Sequence, residues 1–381
     1  MRIDIVHTNL EASGTLKYVA NIAAGFADLG HEVRILYSGV GYGAAEVAML
    51  FKGMRLQRYA SPWTQLLTRR ILGAPLKLFG QGLFSTDQIV DLLGESIASR
   101  KLRMLMSNTD VIVYSNFFSI PPPRLLEAKS SHELLVHHEY LGGEWLPPLV
   151  RLGVHSYVRR ASALMGRSIA ITERMARSLA QSAISTQAIP DGFQQNWLTS
   201  TKPQTTSVIV DSRWHRNRQP LRLVNIASRT PKVNYLMLGR FQDPSLKDDL
   251  QNQIRAHGLG DRVILSGRLS EQEYFEAYSR AHIVLRWAVP GTEDGFPLSL
   301  VYAVSAGCVP IMSSGLGATD HLAKEVSPDL AVNSDEEFAA TINRLSSDSS
   351  YYLEMKRRVD QWRIRRPWSQ VAQEMLSSLP S

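Results

Sequence analysis

From Asp294 to Gly317 the chain reads DGFPLSLVYAVSAGCVPIMSSGLG, bringing a carboxylate, a bare glycine and a proline to the start of a helix. The amides of a first helical turn have no partner within the helix and point outward, so an anion settles there with help from the helix dipole. Pro297, which lacks an N–H, suits that first turn. Asp294 just ahead of it can accept hydrogen bonds from sugar hydroxyls, and Glu293 is the alternative if the register differs by one. Backbone amides near Phe296 and Leu298 then face the attached phosphate. A second group of chemistry-bearing residues is Ser212-Arg213-Trp214-His215-Arg216-Asn217-Arg218-Gln219, where Arg213 and Arg218 lie five apart after a strand. Two guanidinium groups at the mouth of a sheet can neutralise charge on a departing anion. A third is His137-His138-Glu139 at the end of a strand, where side chains alternate in direction and one imidazole at most faces a given side.

These residues need a frame, and strand-like runs alternate with helix-like ones throughout, as in parallel sheets with crossover helices. Ile3 to His7 is read as a strand, followed by a loop with Gly14 and a helix presenting Leu16, Val19, Ala20, Ala23, Phe26 and Ala27 on one face. That helix stops at Gly30 before a strand over Glu32 to Tyr37. Further strands are expected at Val111 to Tyr114, Leu134 to His137, Ser168 to Ile171, Val208 to Val210, Tyr235 to Leu238, Arg262 to Leu265 and Ile283 to Trp287. Helices are expected over about Gln219 to Arg229 and from Ser270-Glu271-Gln272-Glu273, a capping-box spelling. The polar run Thr199 to Ser207 reads as a hinge between halves. The expected domains are 1–198, 199–363 and a C-terminal helix over 364–381.

A chain of 381 residues, 44% hydrophobic and 20% charged, can bury two cores. No secretory signal or membrane-spanning run stands out. A single cysteine, Cys308, excludes an intramolecular disulfide and a cysteine metal cluster, fits a reducing compartment, and reads as a small buried residue ahead of a strand. No metal site is expected, for there is no D-x-D, no H-E-x-x-H and no cysteine pair. The first loop lacks G-x-G-x-x-G, which disfavours a nicotinamide enzyme. The net charge of +7 is concentrated in acid-free stretches. Lys52, Arg55, Arg58, Arg69, Arg70 and Lys77 fall within 47–86 among Trp63 and several leucines, and Arg151, Arg159, Arg160 and Arg167 fall within 146–172. Such mixtures suit an anionic membrane surface, and a solvated basic face over an ordinary core stands equally beside that reading. No nucleic-acid-binding motif accompanies the charge.

The Asp294 segment resembles the donor-binding signature of glycosyltransferase family 4, E-G-F-G/P-x-x-L-x-E-A, with Gly295, Phe296 and Pro297 in register and Tyr302 in place of the second carboxylate. The resemblance extends to Gly14 in the first loop, to Ile189-Pro190-Asp191-Gly192 as an I-P-N-G-like turn, to Ser212-Arg213 with Arg218 as a form of G-R-L-x-x-x-K-G, and to Pro367-Trp368-Ser369 as a terminal helix start. It implies a GT-B fold, two Rossmann-like doubly wound α/β domains facing a central cleft. It also implies a retaining, metal-independent transfer of a sugar from a nucleotide diphosphate to a glycan or lipid-linked acceptor in envelope polysaccharide or glycolipid assembly. No bound cofactor is implied, and the location would be cytoplasmic, peripheral at the inner membrane face. By the same resemblance Arg213 and Arg218 reach the diphosphate, and His138, favoured over His137 by the His-acid order, lies beside donor sugar and acceptor. Arg268 and Leu269 lie near the base. Tyr302 either donates to the ribose or packs against the sheet. A non-catalytic GT-B scaffold with altered nucleotide binding is the alternative, and a GT-B epimerase or phosphorylase a third.

Overall fold

The computed structural model describes residues 1–10, 14–40, 50–59, 100–116, 119–120, 124, 127, 130–138, 148–197, 202–267, 269–289 and 295–380. The chain divides into two units, Met1–Asp191 with Trp368–Ser381, and Gly192–Pro367. The first contains β1 (Arg2–Leu10), α1 (Gly14–Asp28), β2 (Glu32–Val40), β3 (Arg55–Arg58), β4 (Val111–Tyr114), β5 (Glu133–His137), α2 (Pro148–Leu164), β6 (Arg167–Ala170), α3 (Glu173–Gln181) and β7 (Gln187–Ala188). The second contains β8 (Ser207–Asp211), α4 (Arg222–Ser228), β9 (Asn234–Leu238), α5 (Pro244–Ala256), β10 (Val263–Gly267), α6 (Glu271–Arg280), β11 (Ile283–Arg286), α7 (Leu298–Ser305), β12 (Val309–Ser313), α8 (Thr319–Glu325), β13 (Ala331–Val332), α9 (Asp335–Ser347) and α10 (Ser349–Arg365). The last helix, α11 (Trp368–Ser377), belongs to the first unit.

Every strand pairs parallel to its neighbours, in the order β3-β2-β1-β4-β5-β6-β7 in one sheet and β10-β9-β8-β11-β12-β13 in the other. Central strands are buried and mostly apolar, as in parallel sheets covered on both faces: Ile112, Val113, Leu134, Leu135 and Val136 are all buried, as are Ile283, Val284 and Leu285. In each sheet the chain changes direction of winding once, between β1 and β4 and between β8 and β11. Doubly wound sheets bind ligands beyond the carboxyl ends of the strands at such a switch point. Two units of this kind make the GT-B fold.

Local sequence accounts for the helix that closes the first unit. The buried face of α1 runs through Leu16, Val19, Ala20, Ile22, Ala23 and Phe26, and Gly30 ends it in a left-handed conformation at φ 81°. At Gly25 an added Cβ would lie 2.4 Å from the carbonyl oxygen of Trp368. Only glycine lets α11 approach so closely.

The division into units falls earlier than the polar run. Phe193 is fully buried with its ring 4.8 Å from Trp362 and 6.2 Å from Phe296, and Trp197 sits in the second unit's core. Two large aromatic side chains thus commit the chain to the second unit before residue 199. Residues 199–201 lie outside the described residues, and beyond them Lys202 donates to the Ala281 carbonyl. At the other end α10 continues to Arg365, so the boundary at 363 moves to Pro367. The backbone amide of Phe193 donates to the Arg366 carbonyl at 2.9 Å, joining the two ends of this unit.

The basic stretch over 47–86 also changes character where it is described. Arg55 and Arg58 lie on the edge strand β3. Arg55 pairs with Glu32 at 3.3 Å, and Arg58 Nε donates to the Ser38 carbonyl at 2.9 Å. Arg69, Arg70 and Lys77 lie outside the described residues. Arg167 donates through Nε to the Ser378 carbonyl at 2.8 Å, whereas Arg159 and Arg160 are exposed on α2. No described helix is long and apolar enough to cross a membrane.

Candidate active site

In the second unit the switch point is lined by the ends of β8 and β11. Asp211 ends β8, and its carbonyl accepts from Nη1 of Arg286, the last residue of β11, at 2.8 Å. Its carboxylate Oδ2 accepts from the Tyr278 hydroxyl at 2.8 Å. Both the acid and the guanidinium are buried. The loop that follows is shaped by Trp214, whose indole Nε1 donates to the Leu238 carbonyl at 2.7 Å and whose backbone pairs with Phe241. This run of the β8 loop beside the β9 loop requires Gly239, which has φ 103° and where a Cβ would meet the Ser212 carbonyl oxygen at 1.8 Å. Arg213 is consequently exposed next to Gln242. With the Gln242 amide oxygen turned toward it, Arg213 donates from Nε and Nη2 at 3.0 Å.

Arg218 closes a short 3-10 turn, Arg216–Arg218, and is partly buried. Its carbonyl accepts from Trp287 Nε1 at 2.9 Å, and the Asn217 carbonyl accepts from the Val289 amide at 3.0 Å. These bonds hold the arginine turn against the segment that leaves β11 toward α7. Asp294, with Glu293, lies outside the described residues, as does Arg268. Gly295 forms the bend and Phe296 is buried, its ring 6.3 Å from Trp362 and 6.1 Å from His321, which anchors the turn. Pro297 caps α7 in an extended conformation without a side-chain cap; its carbonyl accepts from the Leu300 amide at 2.9 Å, and the amides of Leu298 and Ser299 precede that first bond of the helix. Ser299 in that turn is buried, and its hydroxyl has no hydrogen-bond partner among the described residues. At the far end Gly307, φ 66°, provides the left-handed cap that turns the chain into β12.

Of the two places open to Tyr302, its ring takes the packed one. It is 3% exposed and lies 5.6 Å from Trp197, 5.4 Å from Tyr274, 6.2 Å from Phe275 and 5.7 Å from Tyr278. Burial raises its phenol far above the ordinary range, so it stays protonated. Leu269 packs against the same core. The physical reason is the neighbourhood: α6 turns Tyr274, Phe275 and Tyr278 toward α7, and a carboxylate at position 302 would be enclosed by aromatic rings. Cys308 is buried in the same core.

In the first unit Gly14 opens α1 and is exposed. His137 and His138 end β5 and diverge. The former is buried, with Nε2 2.7 Å from the Ser168 hydroxyl. Its ring is pushed down to about 4 by burial. The latter packs edge-on against Tyr18, ring centroids 4.3 Å apart, and its Nε2 is enclosed with no hydrogen-bond partner among the described residues. Burial, with positive charge disfavoured by His7 and His137 nearby, pushes His138 down to about 3, so it is neutral at physiological pH. His7, Ser115, Asn116 and Ser119 surround this corner at the β1/β4 switch point, and Arg286 occupies the corresponding point in the second unit. None of these stands out in the sequence. His7 is one residue in an apolar strand and Arg286 ends another, so only the strand order reveals them. Among the described residues no group of three or more His, Cys, Asp or Glu side chains could hold a metal ion.

Residues 206–362, fewer than half of the chain, match the family model of group 1 glycosyl transferases. No curated protein sequence matches the chain. Among solved structures it is similar to HepE of Anabaena in complex with UDP and glucose, with a TM-score of 0.72, 15% identity and 100% of both chains covered. It is similar also to sucrose-phosphate synthase from Thermosynechococcus elongatus, with a TM-score of 0.69, 16% identity and coverage of 99% of this chain and 98% of that one. A third is WaaG, a glycosyltransferase involved in lipopolysaccharide biosynthesis, with a TM-score of 0.64, 10% identity and 100% of both chains covered.

Proposed function

We propose that this protein is a nucleotide-sugar glycosyltransferase. The observation that carries the reading is the β8/β11 switch point, where the Arg213 and Arg218 loop is fastened to the segment leading into a helix whose start has no side-chain cap. That arrangement suits a diphosphate: guanidinium groups and uncapped amides supply donors, and charge building on the leaving group is stabilised where it forms. The match of residues 206–362 to group 1 glycosyl transferases supports it. So do similar structures that hold UDP-glucose, in HepE, or UDP with an α-GlcNAc-glycerol, in S. aureus TarM.

In this reading the second unit holds the donor and the first holds the acceptor. The bond from the anomeric carbon to the diphosphate breaks, the acceptor oxygen bonds to that carbon on the same face, and the acceptor proton passes to the departing phosphate. No protein nucleophile and no metal is required, and configuration is retained. His138, just past the end of β5, is the side chain of the first unit assigned to the neighbourhood of donor sugar and acceptor. The acceptor class is an envelope glycan or glycolipid, and the basic stretches 47–86 and 146–172 meet an anionic membrane surface. Loss of vesicle sedimentation in Arg69→Glu/Arg70→Glu supports the membrane contact, and unchanged sedimentation removes it.

Thermal shift with uridine, guanosine and thymidine diphosphates tests the central reading. One of them raises the melting temperature, and the Arg213→Ala/Arg218→Ala variant loses that rise. No rise with any, together with no hydrolysis of a sugar donor, favours the second reading, a non-catalytic GT-B binding protein. The enclosed Tyr302, which stands where a carboxylate would grip a ribose diol, is the observation in its favour.

A further inference from the structure

The pairing of the β8 and β9 segments continues past the strands themselves. Asp211 pairs with Leu238 at the end of the ladder, and three residues further along both segments Trp214 pairs with Phe241. The Trp214 amide donates to the Arg240 carbonyl at 2.9 Å, and the Gln242 amide donates to the Trp214 carbonyl at 2.9 Å, the bonding of a parallel pair. The register is therefore kept through the two loops, and it sets Arg213 directly across from Arg240.

Side-chain direction follows from the same pairing. The Trp214 and Phe241 rings stack with centroids 6.2 Å apart, and Trp214 is buried. Residues one position earlier on each segment take the opposite face. That face is open, for Arg213 and Arg240 are both exposed. Gln242 shares it, two positions after Arg240, and its amide oxygen turned toward Arg213 accepts from Nε and Nη2 at 3.0 Å. Paired segments lie about 4.8 Å apart, so two positive charges stand side by side, an arrangement that is destabilising when nothing neutralises it. The arginines of neighbouring α4 are neutralised, Arg222 by Asp335 at 2.6 Å and Arg229 by Glu336 at 2.9 Å. Among the described residues no carboxylate pairs with Arg213 or Arg240. Asp211 accepts from the Tyr278 hydroxyl, and Asp243 caps α5, accepting from the Ser245 amide at 2.9 Å and hydroxyl at 2.8 Å.

We propose that Arg240 is a binding residue for a pyrophosphoryl group, forming with Arg213 a guanidinium pair that grips one phosphate from two loops. Each guanidinium offers a planar fork of donors matched to phosphate oxygens, and an anion between them removes their mutual repulsion. The pair stands at the carboxyl ends of β8 and β9, where a doubly wound sheet takes its ligand. That the anion belongs to a nucleotide-sugar donor rests on the glycosyltransferase reading; the pairing of the two cations does not.

Calorimetric titration of the full chain with inorganic pyrophosphate at low ionic strength is the test, with Arg255→Ala, at an exposed arginine of α5, as the control for general charge. Arg240→Ala and Arg213→Ala should each weaken binding about tenfold to 100-fold, and Arg255→Ala should leave it unchanged. The double variant should lose less than the product of the single losses, because both side chains serve one phosphate. Without ligand, Arg240→Ala should melt at the same temperature as the natural protein or above it, since a repulsion is removed. Should Arg240→Ala not fold, Arg240→Gln takes its place. Natural affinity in the Arg240 variant, an equal loss in Arg255→Ala, or lost binding that comes with a lowered melting temperature overturns the proposal. The same titrations with uridine, guanosine and thymidine diphosphates separate it from the reading of the site. Pyrophosphate held through both arginines while no nucleotide binds overturns the nucleotide-sugar reading and keeps the pair. A nucleotide bound equally by the natural protein and the Arg240 variant keeps that reading and overturns the pair. No binding of any of these anions by the natural protein overturns both.

Discussion

The two arginines of the β8 loop differ in how they are held, and their substitutions should differ accordingly. Arg213 is exposed beside Gln242, so Arg213→Ala is expected to leave stability nearly unchanged. A hydrogen bond to a charged group contributes about 1.5–3 kcal/mol, so its loss should weaken nucleotide diphosphate binding by about tenfold or more, measured by calorimetric titration. Gly239 is the opposite case, with no ligand contact claimed for it. Gly239→Ala places a Cβ against the Ser212 carbonyl at a positive φ, and a loss of about 3 kcal/mol in urea unfolding is expected. For the imidazoles of buried His137 and half-buried His138 the sign follows from their depressed ionisation. His138 and His137 titrate at about 3 and about 4 when folded and at the ordinary 6.5 when unfolded. The unfolded chain therefore binds more protons between those values, and stability is full above pH 6.5 and is lost as pH falls toward 3. The urea midpoint should drop between pH 7 and pH 5, and His138→Gln should shallow that drop. At this scale the arginine pair and the Gly295-Phe296-Pro297 turn were legible, because spacing along one loop survives into space. His7, Ser115 and Arg286 were not, since their meaning comes from strands distant in sequence lying side by side.

Elements were the more readable level. The strand over Val111 to Tyr114 has the boundaries that its apolar run suggests, and neighbouring strands extend theirs by a residue or a few. The capping-box spelling at Ser270 forms in full: the Ser270 hydroxyl accepts from the Glu273 amide, and the Glu273 carboxylate accepts from the Ser270 amide at 2.8 Å. Ser270→Ala should cost about 1 kcal/mol by denaturant unfolding, with a low-stability α6 visible in hydrogen exchange. Less legible were β3, whose arginines read as surface charge until the Glu32 and Ser38 partners appear, and the start of α4. There the residues from Gln219 were read as helix, yet Gln219 is left-handed at φ 41° and Arg216–Arg218 form a 3-10 turn. Pro220 and the Trp287 bond to Arg218 decide that local geometry. The aromatic side of α6 explains Tyr302 in the same way. A helix periodicity shows which residues point inward, but not that four rings would converge on one position.

For the molecule as a whole, two sheets with separate apolar cores imply two cooperative units of stability. Scanning calorimetry should resolve two transitions. A nucleoside diphosphate at about 100 times its Kd should stabilise the Gly192–Pro367 unit by about 2.7 kcal/mol and leave the other transition in place. A shift confined to the transition of the first unit would contradict the donor assignment. The bond from the Phe193 amide to the Arg366 carbonyl carries a consequence for biosynthesis. The second unit is an insertion with adjoining ends, so it can complete itself while the ribosome still holds the last helix. The first unit, although begun first, is finished last: the surface around Gly25 stays uncovered until Trp368 and its followers emerge. Nascent chains stalled before residue 368 should thus carry a folded second unit beside an open first one, and should depend on chaperones for as long as that groove is bare.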